Sequence, residues 1–455
     1  MAIASRMEAQ IRGTNQAIRN AADGQALIDT AEGAHAEVEF ILQRMRELAV
    51  QSANDTNTST DRLSLNAEVN QLISEIDRIA AQTTWGGNKL LDGTFLNKTL
   101  QIGAYAAETT SVSIDSIATA NLGAYEVNSR AVAMAAGADA GSTTNTLTTT
   151  TLTVTGPKNS AAVTVAAEAS AKTVAAAVNA ATPTTAVSAA ARTNLIIDAI
   201  ASTGTVAFTL GGSSTAAISV SVVDTADLRG LRDAINEKAG ATGVTATLGT
   251  ANSKLILTSS TGENISIVDF THDGATKTMS VKAADFDGVA TSAAAVSLSG
   301  ATSSTTDSTL VVGQVKFTSV GAFNVLDSGG HATNLTGYFA SATAVSASPN
   351  NLQTASVSTV ANATSAIRTI DGALLKIADQ RGNLGAVSNR LDSTMRNLTN
   401  VVTNIQAAQG RIQDADFAAE TTNLAKSQIL QQASMAMLAQ ANASKQGVLS
   451  LLQGR

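Results

Sequence analysis

The chain contains no cysteine among its 455 residues. Disulfides and thiolate metal sites are therefore excluded, and outside a cell stability would have to come from packing or assembly. Proline occurs three times and never between Ala361 and Arg455, so nothing in that run breaks a helix by removing a backbone donor. Aromatic residues make up 3% of the chain and charged residues 14%. Ala, Thr, Ser and Gly fill much of the remainder, a composition that suits close helix packing and plain strands better than ligand pockets, which are lined by larger apolar and aromatic groups. The formal net charge of -7 provides no basic footprint for nucleic acid. No apolar run approaches the roughly 18 residues of a membrane helix. The first residues also lack the charged-then-apolar pattern of a Sec signal peptide, so no membrane insertion is expected.

What is present is concentrated at the two ends. From Leu384 to Ile412 the apolar positions are Leu384, Val387, Leu391, Leu398, Val401, Ile405, Ala408 and Ile412, with Thr394 in the one vacancy. The steps alternate three and four, which is the a/d seam of a coiled coil. Upstream, Ile367, Ile370, Leu374 and Ile377 begin the same helix after Ser358. A helix this long cannot bury its stripe on itself and needs partner helices. The other long stretch with this habit is N-terminal, where Val38, Ile41, Leu42, Met45, Leu48 and Ala49 follow Ile3, Met7, Ile11 and Ile18. Residues 1–53 read as one helix, about 80 Å long if straight, with Gly24 and Gly33 as candidate bends. A second helix, capped by Ser59 or Thr60, carries Leu65, Val69, Leu72, Ile73, Ile76 and Ile79 and ends near Thr83. After the turn-rich run Trp85–Gly93, Thr99–Ile102 and Ser111–Ile114 alternate and should pair as strands.

From about Ala131 to Ser358 the composition shifts to Thr, Ala, Ser and Gly, marking an inserted β-rich block. It contains a repeat of strand, short helix and strand. One copy has strands at Ala162–Val165 and Leu195–Ile197 and a helix ending at Val178–Asn179. The other has strands at Ala217–Val220 and Leu255–Leu257 and a helix through Leu228, Leu231 and Ile235–Asn236. Asp224–Asp227 reads as the N-cap of that helix. Thr309–Val325 is a further β segment. The last helix carries Leu424, Ile429, Leu430, Ala433, Met437, Leu438, Ala441, Val448, Leu449 and Leu452. This apolar surface is wider than one partner covers, and alone in water such a helix is marginal.

Nothing here reads as catalytic. His35, His272 and His331 lack metal-ligand spacing, and His35 reads as a surface histidine on the polar side of its helix. Asp414 and Asp416 read as a helix break rather than a carboxylate pair. Asp224–Asp227 lacks the further ligands of a Ca²⁺ loop, and Gly211–Ser214 lacks the lysine of a phosphate loop. No enzyme, cofactor or metal site is expected.

The ends are similar to bacterial flagellin, the filament subunit of the flagellum. The N-terminal resemblance rests on Ala2–Met7, Asn20–Gly24, Leu42–Asn54, Glu75–Ile79 and Lys89–Gly93. The C-terminal one rests on Gly385–Leu391, Arg411–Asp416, Gln428–Leu430 and Leu438–Asn442. The repeats resemble, less closely, the IN motif inserted in flagellins and hook proteins. Trp85–Gly86 stands where the family usually has Phe-Asn, and Lys445 where Pro is common. Flagellins usually begin about forty residues earlier, with a segment that carries the export signal. This chain starts inside the first long helix, so without that segment it is not expected to polymerise by itself.

The resemblance implies a multidomain α+β protein. Residues 1–127 and 357–425 would form a long antiparallel coiled-coil rod with a β-hairpin, and 426–455 an inner-tube helix. The middle block, 128–356, would project outward with repeats at about 150–200 and 206–268, folding separately on two linkers. It implies a self-assembling extracellular propeller, exported by the flagellar type III pathway without a cleaved signal peptide. Partners would be other flagellin subunits, an export chaperone, and hook-associated and cap proteins. Subunit packing would fall to Ile429, Leu430, Met437, Leu438, Val448, Leu449 and Leu452. Arg44, Leu48 and Glu68 match the positions central to recognition by host Toll-like receptor 5; read without the resemblance, Leu48 belongs to the core stripe and the other two are surface charges. Two alternatives stand beside this one: a flagellin-like surface protein binding polysaccharide, and a hook-filament junction protein. The scarcity of rings in the middle block argues against sugar binding.

Overall fold

The computed structural model describes residues 2–454 apart from 131, 134, 138–144, 146, 250–251, 289–294, 303, 329–337, 340–342 and 414–416. Helix α1 (Ala2–Ala53) is continuous. Its buried residues include Ala21, Gly24, Ile28, Ala31, His35, Val38, Leu42, Met45, Ala49 and Ser52, a heptad seam with no missed step. Gly24 serves close approach: a methyl there would lie 2.5 Å from Leu100 Cδ1. The N-cap of helix α2 (Ser59–Gln82) is Thr58, one residue before the cap expected at Ser59 or Thr60. Thr58 N donates to Asp61 Oδ2 at 3.0 Å and Asp61 N donates to Thr58 Oγ1 at 3.2 Å, a reciprocal capping box. Strands β1 (Thr84–Trp85) and β2 (Asn88–Lys89) turn on Gly86 and Gly87, whose φ values of 55° and 81° suit a tight hairpin. Strands β3 (Lys98–Gln101) and β4 (Thr109–Val112) pair antiparallel, as the alternation predicts.

Strands β5 (Gly123–Asn128) and β6 (Val132–Ala133) lead into the middle block. Then come β7 (Thr150–Thr155), β8 (Ser160–Val165), α3 (Ala171–Ala180), α4 (Thr182–Thr185) and β9 (Ser188–Ile200). The pattern restarts with β10 (Gly204–Gly211), β11 (Thr215–Val222), α5 (Arg229–Glu237), α6 (Ala239–Thr242), β12 (Thr245–Leu248) and β13 (Leu255–Ser259). Strands β14 (Ile265–His272), β15 (Thr278–Ala283), β16 (Val296–Ser299) and β17 (Thr309–Val312) follow. The block closes with β18 (Gln314–Ser319), β19 (Asn324–Asp327), β20 (Val345–Ser346) and β21 (Ser348–Asn351).

The two repeats are nested rather than consecutive. One sheet runs β20-β19-β7-β8, the other β6-β17-β14-β10-β11. Strand β18 pairs with the start of β9 as β13 pairs with β12, and β19 returns to β7 as β14 returns to β10. The second unit therefore interrupts the first between β9 and β18. Cores follow the same division: one joins 147–187 to 312–345, the other lies within 195–311. The copies also agree in detail. Asn179 Nδ2 donates to Ala189 O at 2.8 Å and Ala189 N donates to Asn179 Oδ1 at 2.7 Å. Asn236 and Ala246 make the same two bonds at 2.9 and 2.7 Å. Each asparagine thus clasps the strand after its helix. The cap expected at Asp224–Asp227 is met in part: the N-cap position is Leu228, without a side-chain bond, but Asp227 Oδ1 accepts from Arg229 N, the first helical amide, at 3.2 Å. Asp224 Oδ1 closes a turn by accepting from Ala226 N at 2.8 Å.

Helix α7 (Val360–Gln413) runs antiparallel to α1: Ser52 Oγ donates to Val357 O, and Arg46 Nε donates to Asp371 Oδ1 at 2.6 Å, while Gly24 lies beside Leu391 at the other end. Its buried seam is Ala363, Ala366, Ile370, Ala373, Ile377, Gln380, Leu384 and Leu391, with Ile367, Leu374 and Val387 partly buried against it. The expected seam holds to Leu391 and then slips by one residue. Met395 packs on the core, Leu398 is half-buried, Val402 rather than Val401 is buried, and Ile412 is exposed. A straight helix drifts about 20° per heptad, so a fixed 3.5-residue stripe does not stay on the contact line. Helix α8 (Phe417–Gln453) ends the chain. No helix among the described residues is long and apolar enough to cross a membrane.

Candidate assembly and recognition surfaces

The described part of α8 is solvent-facing on all sides. Ile429 is 64% exposed, Leu430 58%, Met437 72% and Leu438 64%. Leu424 and Met435 are also exposed. An apolar surface of this size on a helix is a contact waiting for a partner. Val448, Leu449 and Leu452 lie on the same helix, with side chains outside the described residues.

The three expected receptor residues separate in the structure. Arg44 and Glu68 form an exposed bridge from α1 to α2: Arg44 Nε and Nη2 donate to Glu68 Oε1 at 3.0 and 2.8 Å, and Nη1 donates to Glu47 at 3.1 Å. The hydrogen bond to Glu68 is the main influence holding the Arg44 guanidinium above its ordinary pKa. Leu48 is not on this surface. It is 1% exposed and belongs to the rod core, because it shares the seam side of α1 with Met45 and Ala49.

His35 is likewise not on the surface. It is fully buried in the seam, with Nδ1 donating to Ala31 O at 2.7 Å and Nε2 lying 2.8 Å from Gln380 Oε1 of α7. Beside it Arg381 Nη2 donates to Glu32 Oε1 at 3.4 Å, and Nη1 pairs with Glu39. His272 is buried in the second unit, accepting from Gly274 N at Nδ1. His331, Asp414 and Asp416 lie outside the described residues. Among the described residues no group of His, Cys, Asp or Glu could hold a metal ion. Gly211–Ser214 lies at the β10-β11 hairpin turn, where Gly212 N donates to Ser214 O. A crevice of about 860 Å³ lies between α7 and the first unit, lined by Leu375, Asp371, Pro157 and Pro183 among others.

A rod made by pairing the two chain ends, a terminal helix with its apolar face bare, and a block of nested units carried on the side define a subunit built for assembly. Comparison with known proteins gives the family. The bacterial flagellin N-terminal helical region matches residues 1–96, its C-terminal helical region 367–452, and the flagellin hook IN motif 205–261. The chain is 37% identical to B-type flagellin of Pseudomonas aeruginosa, over 99% of this chain and 90% of that protein. It is 33% identical to a flagellin of Salmonella choleraesuis, with the same two coverages. A solved structure of FliC from Burkholderia pseudomallei aligns over 81% of this chain and 99% of its own at 19% identity, with a TM-score of 0.33. The chain belongs to the bacterial flagellins. It is a structural subunit of the extracellular flagellar filament, the propeller of motility, and not an enzyme.

Proposed function

We propose that copies of this chain join the filament through the apolar face of α8, with Ile429, Leu430, Met437 and Leu438 as contact residues and Val448, Leu449 and Leu452 continuing the stripe. The exposure of those first four side chains in the single chain carries the reading. Removing one such side chain from water is worth about 1.5–3 kcal/mol, so a helix that presents several contributes strongly once neighbours cover it. The experiment is a double substitution, Leu430→Asp with Leu438→Asp, co-expressed with a filament-forming flagellin and compared with the unsubstituted chain. The unsubstituted chain should be incorporated into filaments and the variant excluded, while the rod of the purified variant should melt as before. Equal incorporation of the two would overturn the proposal.

Before assembly, the Arg44–Glu68 bridge would be open to a receptor, and the resemblance to flagellins makes Toll-like receptor 5 the partner. Leu48 would act from beneath by holding α1 in place. Arg44→Ala and Glu68→Ala should weaken receptor activation with little loss of stability, since an exposed pair is worth about 0–1 kcal/mol. Leu48→Ala should instead lower the unfolding midpoint. Unchanged receptor activation by both charge variants would remove the assignment. The resemblance further supports export by the flagellar type III pathway, an export chaperone, and hook-associated and cap proteins as neighbours at the filament ends. Secretion that persists in cells lacking the flagellar export apparatus would refute that route.

A further inference from the structure

The block meets the rod at a neck made from two strands. β5 and β21 pair with each other, and β5 also pairs with β18, so the neck is part of the sheet β12-β13-β9-β18-β5-β21. Position 127 falls inside β5 rather than between elements. The neck lies hard against α7. A methyl on Gly372 would come 2.7 Å from Ala124 Cβ, and Lys376 Nζ donates to Asn121 O at 2.7 Å.

Four charged side chains converge there, each from a different segment. Glu126 comes from β5 and Lys316 from β18; Asp287 comes from the turn after β15, and Arg368 from α7. Lys316 is 3% exposed. Its Nζ lies 3.6 Å from Glu126 Oε2, 3.5 Å from Asp287 Oδ2 and 4.7 Å from the centre of the Phe286 ring. Arg368 Nη2 donates to Asp287 Oδ1 at 2.9 Å, and its Nε stands 3.9 Å from Glu126 Oε1. Those last two atoms are buried without a hydrogen-bond partner among the described residues. Two positive and two negative groups thus balance around a buried Lys316, with Glu126, Asp287 and Arg368 partly exposed at its edge. The rod contributes one of them, the neck one, the first unit one and the second unit one.

We propose that this quartet is a lock that fixes the angle of the outer block on the rod. Apolar contact is non-directional and would let the block rock while staying covered. A buried charge is different. A few ångströms of separation leave the buried Lys316 ammonium uncompensated, and a buried charge deprived of its partner is strongly unfavourable. Rotating the block about the neck would carry Lys316 and Asp287 away from Arg368, so the arrangement has one favourable orientation. A block folding separately on two linkers, as expected, would need no such cluster.

The absence of native cysteine makes the test clean. Two thiols are introduced at exposed sites, Ser74→Cys on α2 and Val223→Cys in the block, and spin-labelled for pulsed dipolar distance measurement. The otherwise unchanged chain should give a single narrow distance distribution. Arg368→Gln and, separately, Lys316→Met should lose it, while far-UV circular dichroism keeps its helical and β content. A broad distribution in the unchanged chain would overturn the fixed angle. A narrow one that survives both single substitutions would overturn the quartet as its cause. Should Lys316→Met unfold the block, Arg368→Gln decides, because its side chain belongs to the rod helix.

Discussion

His35 and Gln380 face each other across the middle of the rod, a buried polar side-chain pair in a mostly small and apolar seam. A polar residue at a seam position penalises registers that leave it facing an apolar neighbour. His35→Leu alone should cost about 1–3 kcal/mol, because the Gln380 amide stays buried without its partner. His35→Leu with Gln380→Leu should recover most of that loss, since replacing both partners removes the unmet group. Urea unfolding followed at the helical band measures both; a double variant as unstable as the single one would contradict this account. The histidine was readable in principle: Val38, Leu42 and Met45 continue backward through His35 to Ala31 and Ile28 in unbroken heptad steps. Hydropathy counts a histidine as a surface residue, and that outweighed its position. Arg44 and Glu68 were legible as a pair only through the resemblance, since their contact joins two helices and has no spacing of its own.

The helices themselves were largely legible, because their stripes are long and α1, α2, α7 and α8 each repeat the same signal many times. What failed was fine register. The stripe was extrapolated at 3.5 residues per turn, whereas α7 drifts off it after Leu391. The difference is measurable: Val402→Ala should destabilise the rod by about 1–2 kcal/mol from the buried carbons lost. Val401→Ala should change it by no more than about 0.5 kcal/mol, as for an ordinary surface site. Equal effects would restore the unslipped seam. Leu398→Ala, at a half-buried position, should cost less than Leu391→Ala, which falls in the range of about 2–5 kcal/mol. In the block, Asn236→Ala breaks both bonds of one clasp, and Asn179→Ala breaks the equivalent pair. Each should lower the midpoint of the β-rich transition and leave the helical one in place. Both asparagines could be read from the sequence as repeat positions, but their role could not, because the bonds close only when the third strand folds back.

At the scale of the whole molecule, the two ends were recognisable and the middle only in part. Strand, helix and strand are local patterns, and the second copy was found, but Leu195–Ile197, expected in the first copy, lies in the core of the second unit and pairs with β13. The nesting of the copies was not found, because the return of β18 to β9 and of β19 to β7 spans more than a hundred residues and leaves no periodic trace. The outer block is consequently more closely tied to the rod than its composition suggests. Helix α8 is the opposite case: plain in the sequence as a stripe too wide for one partner, and bare in the folded chain. Amide hydrogen exchange in the monomer should therefore be fast beyond Lys426, since a lone helix in water holds few of its amides closed. The central claim is that this bare face is the assembly surface, and thiol labelling at Met437→Cys tests it most directly. In a chain without native cysteine the label reports that one site. Reaction should be rapid in the monomer and strongly suppressed in filaments that contain the variant. Equal rates in the two states would mean that α8 stays solvent-facing after assembly and that subunits join through some other surface.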